Sequence, residues 1–168
     1  MRIGILSDTH IPFAATDIPR AIYEDFKDVE LILHAGDLVE ESILQRLKKL
    51  YKTVAVCGNM DSPALKKSLP QKEIIKVGKV AIGLIHGEGA PNGLRDFASS
   101  AFKGEHLNAV VFGHSHFPFS EVHNGVLYFN PGSPTDRIFA PYNSYGIFEL
   151  DPACAKGSCK IEAKVIRL

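Results

Sequence analysis

Cysteine is scarce in this chain. Only Cys57, Cys154 and Cys159 occur in 168 residues, and an odd count of three argues against a disulfide framework. Cys154 and Cys159 flank the segment AKGS near the C-terminus and read as two cysteines beside a hairpin turn, with a local disulfide as the alternative. Net charge is also missing: Lys plus Arg and Asp plus Glu both number 19. A balanced chain has no general pull toward nucleic acid or an anionic membrane, and no Lys/Arg cluster stands out. No apolar run approaches the roughly 18 residues that span a bilayer. The opening MRIGILSDTH turns polar too soon for a signal peptide, so the cytoplasm is the expected location. No internal repeat, low-complexity segment or linker interrupts the chain, so residues 1–168 are expected to form a single domain. At this length folding buries about two-thirds of the unfolded surface, enough to need no disulfide or structural metal.

What is present is a regular alternation. Arg2–Leu6, Leu31–His34, Thr53–Cys57 and Ala109–Phe112 are compact apolar runs with the character of buried strands. Helices are expected over Ile18–Phe26, Glu41–Leu50, Pro63–Ser68 and Gly93–Phe102, and Glu73–Val77 with Lys79–Ile85 reads as a hairpin about Gly78. After His116 the pattern becomes mostly β, with strands at Pro118–His123, Val126–Phe129, Tyr145–Leu150 and Ile161–Arg167. The first half implies a parallel α/β sheet; the later hairpins imply a second sheet or an antiparallel extension.

The polar residues fall where the apolar runs stop. RIGIL leads to Asp8 and His10, LILHAG to Asp37, TVAVCG to Asn59, KVAIGLI to His86, and AVVFG to His114 and His116. Ligands of α/β sheets bind outside the carboxyl ends of the strands, so one crevice would collect all seven. In extended chain the two-residue spacing of Asp8 with His10, and of His114 with His116, places each pair on one face. Gly36, Gly58, Gly87 and Gly113 adjoin these positions and allow sharp turns or close approach. A single Asp or His after a strand is ordinarily a turn residue or a cap; seven at five strand ends form a ligand set. Four imidazoles, two carboxylates and an amide suit Mn, Fe, Zn, Co or Ni better than Mg or Ca, and seven ligands exceed the need of one ion. His34 reads as a buried, hydrogen-bonded support rather than a ligand. His106 and His123 read as surface residues.

Taken together, Asp8-x-His10, Gly36-Asp37, Gly58-Asn59, His86-Gly87 and Gly113-His114-Ser115-His116 resemble, in order and spacing, the motifs of calcineurin-like metallophosphoesterases. The likeness runs from Met1 to about Leu150 and points to the small bacterial and archaeal phosphodiesterase branch, related to a subunit of the eukaryotic retromer. It implies a two-sheet β-sandwich flanked by helices, in four αββα layers. It implies one ion on Asp8, His10, Asp37 and His116, and a second on Asp37, Asn59, His86 and His114, with Asp37 as the bridge. The catalytic core would be Asp37, Asn59, His86 and His114. The implied reaction is phosphodiester hydrolysis by a bridging hydroxide, with two divalent ions, manganese first and Ni, Co, Fe or Zn as alternatives. A small phosphoester would be the partner, with no membrane and no specific nucleic acid.

Many members carry a His directly after the motif Asn; here Met60 stands there and has no proton to give. Asp61 could substitute, although Asp61-Ser62-Pro63 reads better as a helix cap followed by Pro in the first turn. Asn130-Pro131-Gly132-Ser133 either returns to the site or forms a plain turn. Ser133 and Arg137 are the candidate substrate contacts, Arg137 through a forked grip on phosphate or else as an ordinary surface arginine. The competing function is a binding scaffold of the same fold, since fold alone does not fix function.

Overall fold

The structure, a computed structural model, describes residues 1–151 and 161–168. Cys154 and Cys159 lie outside them. The first half of the chain runs β1 (Arg2–Leu6), α1 (Arg20–Asp25), β2 (Leu31–His34), α2 (Glu41–Leu50), β3 (Thr53–Ala55), α3 (Pro63–Ser68), β4 (Lys72–Val77) and β5 (Val80–Ile85). It continues through α4 (Leu94–Ala101), β6 (Ala109–Val111), β7 (Phe119–His123), β8 (Val126–Asn130), β9 (Ser144–Leu150) and β10 (Ile161–Arg167). The expected helix at Ile18 begins two residues later. Pro19 has an extended ψ of 133° and serves as the N-cap, and the residue before a proline is itself biased away from helix. The Asn124-Gly125 turn has positive φ at both residues, 49° and 79°, as a two-residue hairpin requires.

The strands form two five-stranded sheets, ordered β10-β9-β1-β2-β3 and β4-β5-β6-β8-β7. β1, β2 and β3 are parallel, and so are β5, β6 and β8. The chain therefore changes sheet at β4, well before His116, and β9 returns to pair antiparallel with β1. β9 is suited to that inner place because it is buried along nearly its whole length. A strand covered on both faces reads as a continuous apolar run rather than an alternating one, which is why its partner could not be told from its pattern.

The side chains sort into layers by the two-residue period of a strand. Ile3, Ile5, Leu31 and Leu33 face Ile82, Leu84, Val111 and Phe129 across the sandwich. Leu6 and Ile32 point the other way, onto Ile22 of α1 and Ile43 and Leu47 of α2. Val110 and Tyr128 leave the second sheet toward Leu94 and Ala98 of α4. These are the four αββα layers. Between the sheets Phe129 and Phe148 meet edge to face, with ring centroids 4.8 Å apart, and neither is exposed to solvent. Replacing Phe148 with Ala should lower unfolding free energy by about 3–5 kcal/mol in a denaturant titration; a loss below about 1 kcal/mol would mean that the sheets close over the gap.

Candidate metal centre

The parallel strands of both sheets deliver their ends to one seam. From the first sheet come Asp8, His10, Asp37 and Asn59; from the second come His86, His114 and His116. Backbone bonds tie neighbouring loops together within each sheet. Asp8 N–H donates to the Gly36 carbonyl (3.0 Å), His10 N–H to that of Asp37 (3.0 Å), and Gly113 N–H to that of His86 (2.9 Å).

The two carboxylates lie at the centre. Asp37 Oδ2 stands 3.5 Å from His10 Nε2 and 3.3 Å from His86 Nε2. Asp8 Oδ1 is 3.8 Å from His10 Nε2, 3.5 Å from His116 Nε2 and 4.0 Å from His86 Nε2. Asn59 Oδ1 is 3.0 Å from both His86 Nε2 and His114 Nδ1. Two overlapping clusters result, Asp8 with His10 and His116, and Asp8 with Asp37 and His86. Asp8 is thus as central as Asp37, although only Asp37 was expected to be shared.

Backbone conformation corrects one expectation. Asp8, His10, Asp37, His114 and His116 have φ of 53°, 43°, 58°, 71° and 60°. Five of the seven candidate ligands therefore occupy the left-handed region, which non-glycine residues seldom enter. The paired residues do not share a face through extended chain; they sit in tight loops beyond Leu6 and Val111. Such strain persists only where surrounding contacts enforce it, and it gathers at functional sites. The glycines next door permit the crowding. A Cβ on Gly58 would collide with the Asp37 carboxylate, and one on Gly113 with Ser7 Oγ and the Asp8 carboxylate.

Three imidazoles have one nitrogen committed to an oxygen and the other turned inward. His86 Nδ1 meets the Ala35 carbonyl at 2.7 Å, His114 Nε2 meets the Gly89 carbonyl at 3.1 Å, and His116 Nδ1 pairs with Asp136. An acceptor on one nitrogen fixes the proton there and leaves the opposite lone pair free to bind a metal. His10 Nε2 and His116 Nε2 face each other across 3.1 Å. Among the described residues no Lys or Arg lines the pocket over the centre, about 540 Å³, and the carboxylates meet no side-chain cation other than histidine. Burial pulls the His86 imidazole down, but its hydrogen bond to Asp37 and the charges of Asp8 and Asp37 outweigh this and push it up to about 9. Burial also pushes Asp37 up, and His86, the Met60 amide and His10 together more than offset it, leaving Asp37 low. His10 is lowered, by burial first and by His116 and His86, against the pull of Asp8 and Asp37. The centre attracts positive charge, and its mixed nitrogen and oxygen donors fit a transition-metal ion.

Four residues outside the ligand set hold it in place. Asp61 is neither the cap nor a free acid: Ser62 caps α3, accepting from Leu65 N–H, while Asp61 is buried and accepts from the amides of Asp37 (3.2 Å), Val39 (2.7 Å) and Gly58 (2.8 Å). Ser133 is fully buried and donates to the Asp8 carbonyl at 2.7 Å, so it braces a ligand's backbone and does not face substrate. Asn130 Nδ2 donates to the Gly113 carbonyl at 2.9 Å. The 130–133 loop does return to the site, as a brace. Asp136 went unnoticed in the sequence; besides His116 it accepts from the amides of Ile138, Phe139 and Ala140. A pattern of Asp two to four residues before unpaired amides was its only signal. Arg137 is exposed and does not line the pocket. His34 is buried with Nε2 3.2 Å from Thr9 Oγ1, and its Nδ1 has no hydrogen-bond partner. His106 and His123 are exposed.

The chain belongs to the calcineurin-like phosphoesterase superfamily, whose family model matches residues 1–153. A relative in Methanothermobacter thermautotrophicus, bearing the name "Probable metallophosphoesterase", is 39% identical over 99% of this chain and 92% of its own. Among solved structures, an archaeal phosphodiesterase superposes with a TM-score of 0.73 at 24% identity, covering 100% of both chains. Vps29 of Entamoeba histolytica complexed with zinc superposes with a TM-score of 0.73 at 23% identity, covering 98% of this chain and 99% of its own. At these identities the two structures bear on the fold alone, which they share with this chain.

Two outcomes are expected of the supporting residues. Asp136→Ala should weaken metal binding roughly 10- to 100-fold by calorimetry, and an unchanged affinity would remove its positioning role. Burial holds the His34 imidazole down at about 3, whereas the unfolded chain takes up a proton near pH 6.5. The folded state therefore loses stability as pH falls from about 6.5 toward 3. Replacing His34 with Gln should flatten that part of the stability-versus-pH curve in metal-free protein; an identical slope would place the acid sensitivity elsewhere.

Proposed function

We propose that this chain is a metal-dependent phosphodiesterase working on a small phosphoester, without a nucleic-acid or membrane partner. The observation that carries the reading is the seam itself: two carboxylates, one amide oxygen and four imidazoles converge where, among the described residues, no lysine or arginine answers their charge. Asp8, His10, Asp37 and His116 would hold one divalent ion, and Asp37, Asn59, His86 and His114 the second. Manganese is the first candidate, with Ni, Co, Fe and Zn behind it. Bound ions of this kind bring water toward neutral pKa and offset charge on the phosphoryl oxygens.

The rest is the work of the protein. Ala35, Gly89 and Asp136 fix the tautomers of His86, His114 and His116, so that the donors are oriented before substrate arrives. Such preorganised polar groups need no rearrangement as charge develops on phosphorus. Hydrolysis forms a bond from water oxygen to phosphorus and breaks one ester bond, giving a phosphomonoester and an alcohol or phenol. Met60 lines the pocket and has no proton to give. The leaving group then departs on its own acidity or with a proton from water, which favours acidic phenols over alcohols.

A second reading, a protein-binding scaffold, draws support from the same Met60 and from the shared fold of Vps29. The deciding assay begins with chelator-stripped protein. An aryl diester and an aryl monoester are offered with Mn, Ni, Co, Zn or Mg, beside an Asp37→Ala control. Hydrolysis of the diester restored by metal and abolished in Asp37→Ala is expected, with rates that fall steeply from acidic phenols to alkanols. Equal rates across leaving groups would overturn the role given to Met60. Binding of about two ions per chain with no hydrolysis under any metal would favour the scaffold.

A further inference from the structure

Eight large apolar side chains stand exposed on the described surface: Phe13, Leu50, Met60, Phe117, Val122, Ile138, Phe139 and Leu168. Isolated ones need no explanation. Here five of the eight, Phe13, Met60, Phe117, Ile138 and Phe139, line the pocket of about 540 Å³ over the metal centre. They come from four separate loops, after β1, after β3, after β6 and between β8 and β9. Phe13 is 74% exposed and Ile138 82%, yet these side chains share a rim. Phe139 is also tied to the chemistry: its ring stands edge-on to His116 with centroids 6.2 Å apart, and its amide is held by Asp136.

The rim continues outward on one side. Pro91, Ser115 and Phe117 line both this pocket and a neighbouring hollow of about 590 Å³, walled by Leu94, Phe112, Pro118 and Phe119. Its one arginine, Arg95, is engaged with Asp96 (2.9 Å) and Glu121 (3.1 Å). An apolar path therefore leads away from the polar floor past Phe117, and among the described residues no free cation lies along it to receive a second phosphate or a carboxylate. Pockets of this build orient a ligand by a few polar groups and hold it by apolar surface.

We propose that the natural substrate is a phosphodiester bearing an extended apolar or aromatic ester group, which the collar of Phe13, Met60, Phe117, Ile138 and Phe139 grips while its phosphate lies over the metal centre. The proposal rests on the phosphodiesterase reading and adds a substrate class to it. A multiply charged substrate is disfavoured at the same rim, because Asp136 lines it and, among the described residues, no lysine or arginine does. The apolar ester is the group retained on phosphorus, so its contribution can be separated from the acidity of the leaving group.

The test is a series of p-nitrophenyl alkyl phosphates from methyl to hexyl, with a constant leaving group, on the Mn-loaded protein. Full burial of one methylene is worth roughly fourfold in binding, so partial burial of five should lower KM at least about tenfold from methyl to hexyl. The double variant Ile138→Ser with Phe139→Ser, and separately Phe117→Ser, should each reduce that trend to about threefold or less. Calorimetric titration with dimethyl through dihexyl phosphate reads the same trend in affinity without turnover. A KM and an affinity independent of chain length, with the methyl ester still hydrolysed, would overturn the collar and leave the phosphodiesterase reading intact. Chain-length-dependent binding with no hydrolysis under any metal would keep the collar and overturn that reading. A flat series with a protein dimer that the Ser variants dissolve would assign the rim to a second copy of the chain.

Discussion

Asp8 and Asp37 put two carboxylates in a place almost closed to water, and among the described residues the side chains that pair with them are histidines. Charge in such a place must be answered, because an isolated buried ion is far more expensive than a paired one. His86 meets both, with Nε2 3.3 Å from Asp37 and 4.0 Å from Asp8. Much of the loop architecture follows from keeping these groups together. The loops after β1, β2 and β6 turn through left-handed backbone at their ligands, and two glycines have no side chain because a carboxylate already fills the space.

Strained loops need supports, and the supports are polar groups acting on backbone. Asp61 gathers three amides from two loops, Ser133 holds the carbonyl of Asp8, and Asn130 holds that of Gly113. Because these contacts are to main chain, each fixes where a ligand's Cα lies and leaves the side chain free to face inward. The apolar layers above and below fix the strands, and the polar braces fix what happens after the strands stop.

The strands, most helices and the seven candidate ligands could be read from the sequence because each rests on a local signal: an apolar run, a period, a polar residue at the end of a run. The assignment of β9 to the first sheet could not be read, since a strand buried on both faces carries no mark of its neighbours. Nor could the left-handed ligands, because an Asp or His enters that region for tertiary reasons. Ser133 looked like a substrate contact and proved to be a brace 125 residues along the chain from its partner. Asp61 and Ser62 differ by one position, and only the structure shows that Ser62 is the cap. Arg137 was a candidate for the phosphate by loop position, with an ordinary surface arginine as the alternative, and it is exposed.

The seam between the sheets has a consequence for assembly. Neither sheet alone owns a complete set of donors: the first brings both carboxylates, and the second brings three of the four imidazoles that face them. A half-formed molecule, with each sheet paired internally but the sandwich not yet shut, would offer only part of the donor set. An ion held by donors of both sheets would act as a rivet through two plates and resist their sliding apart.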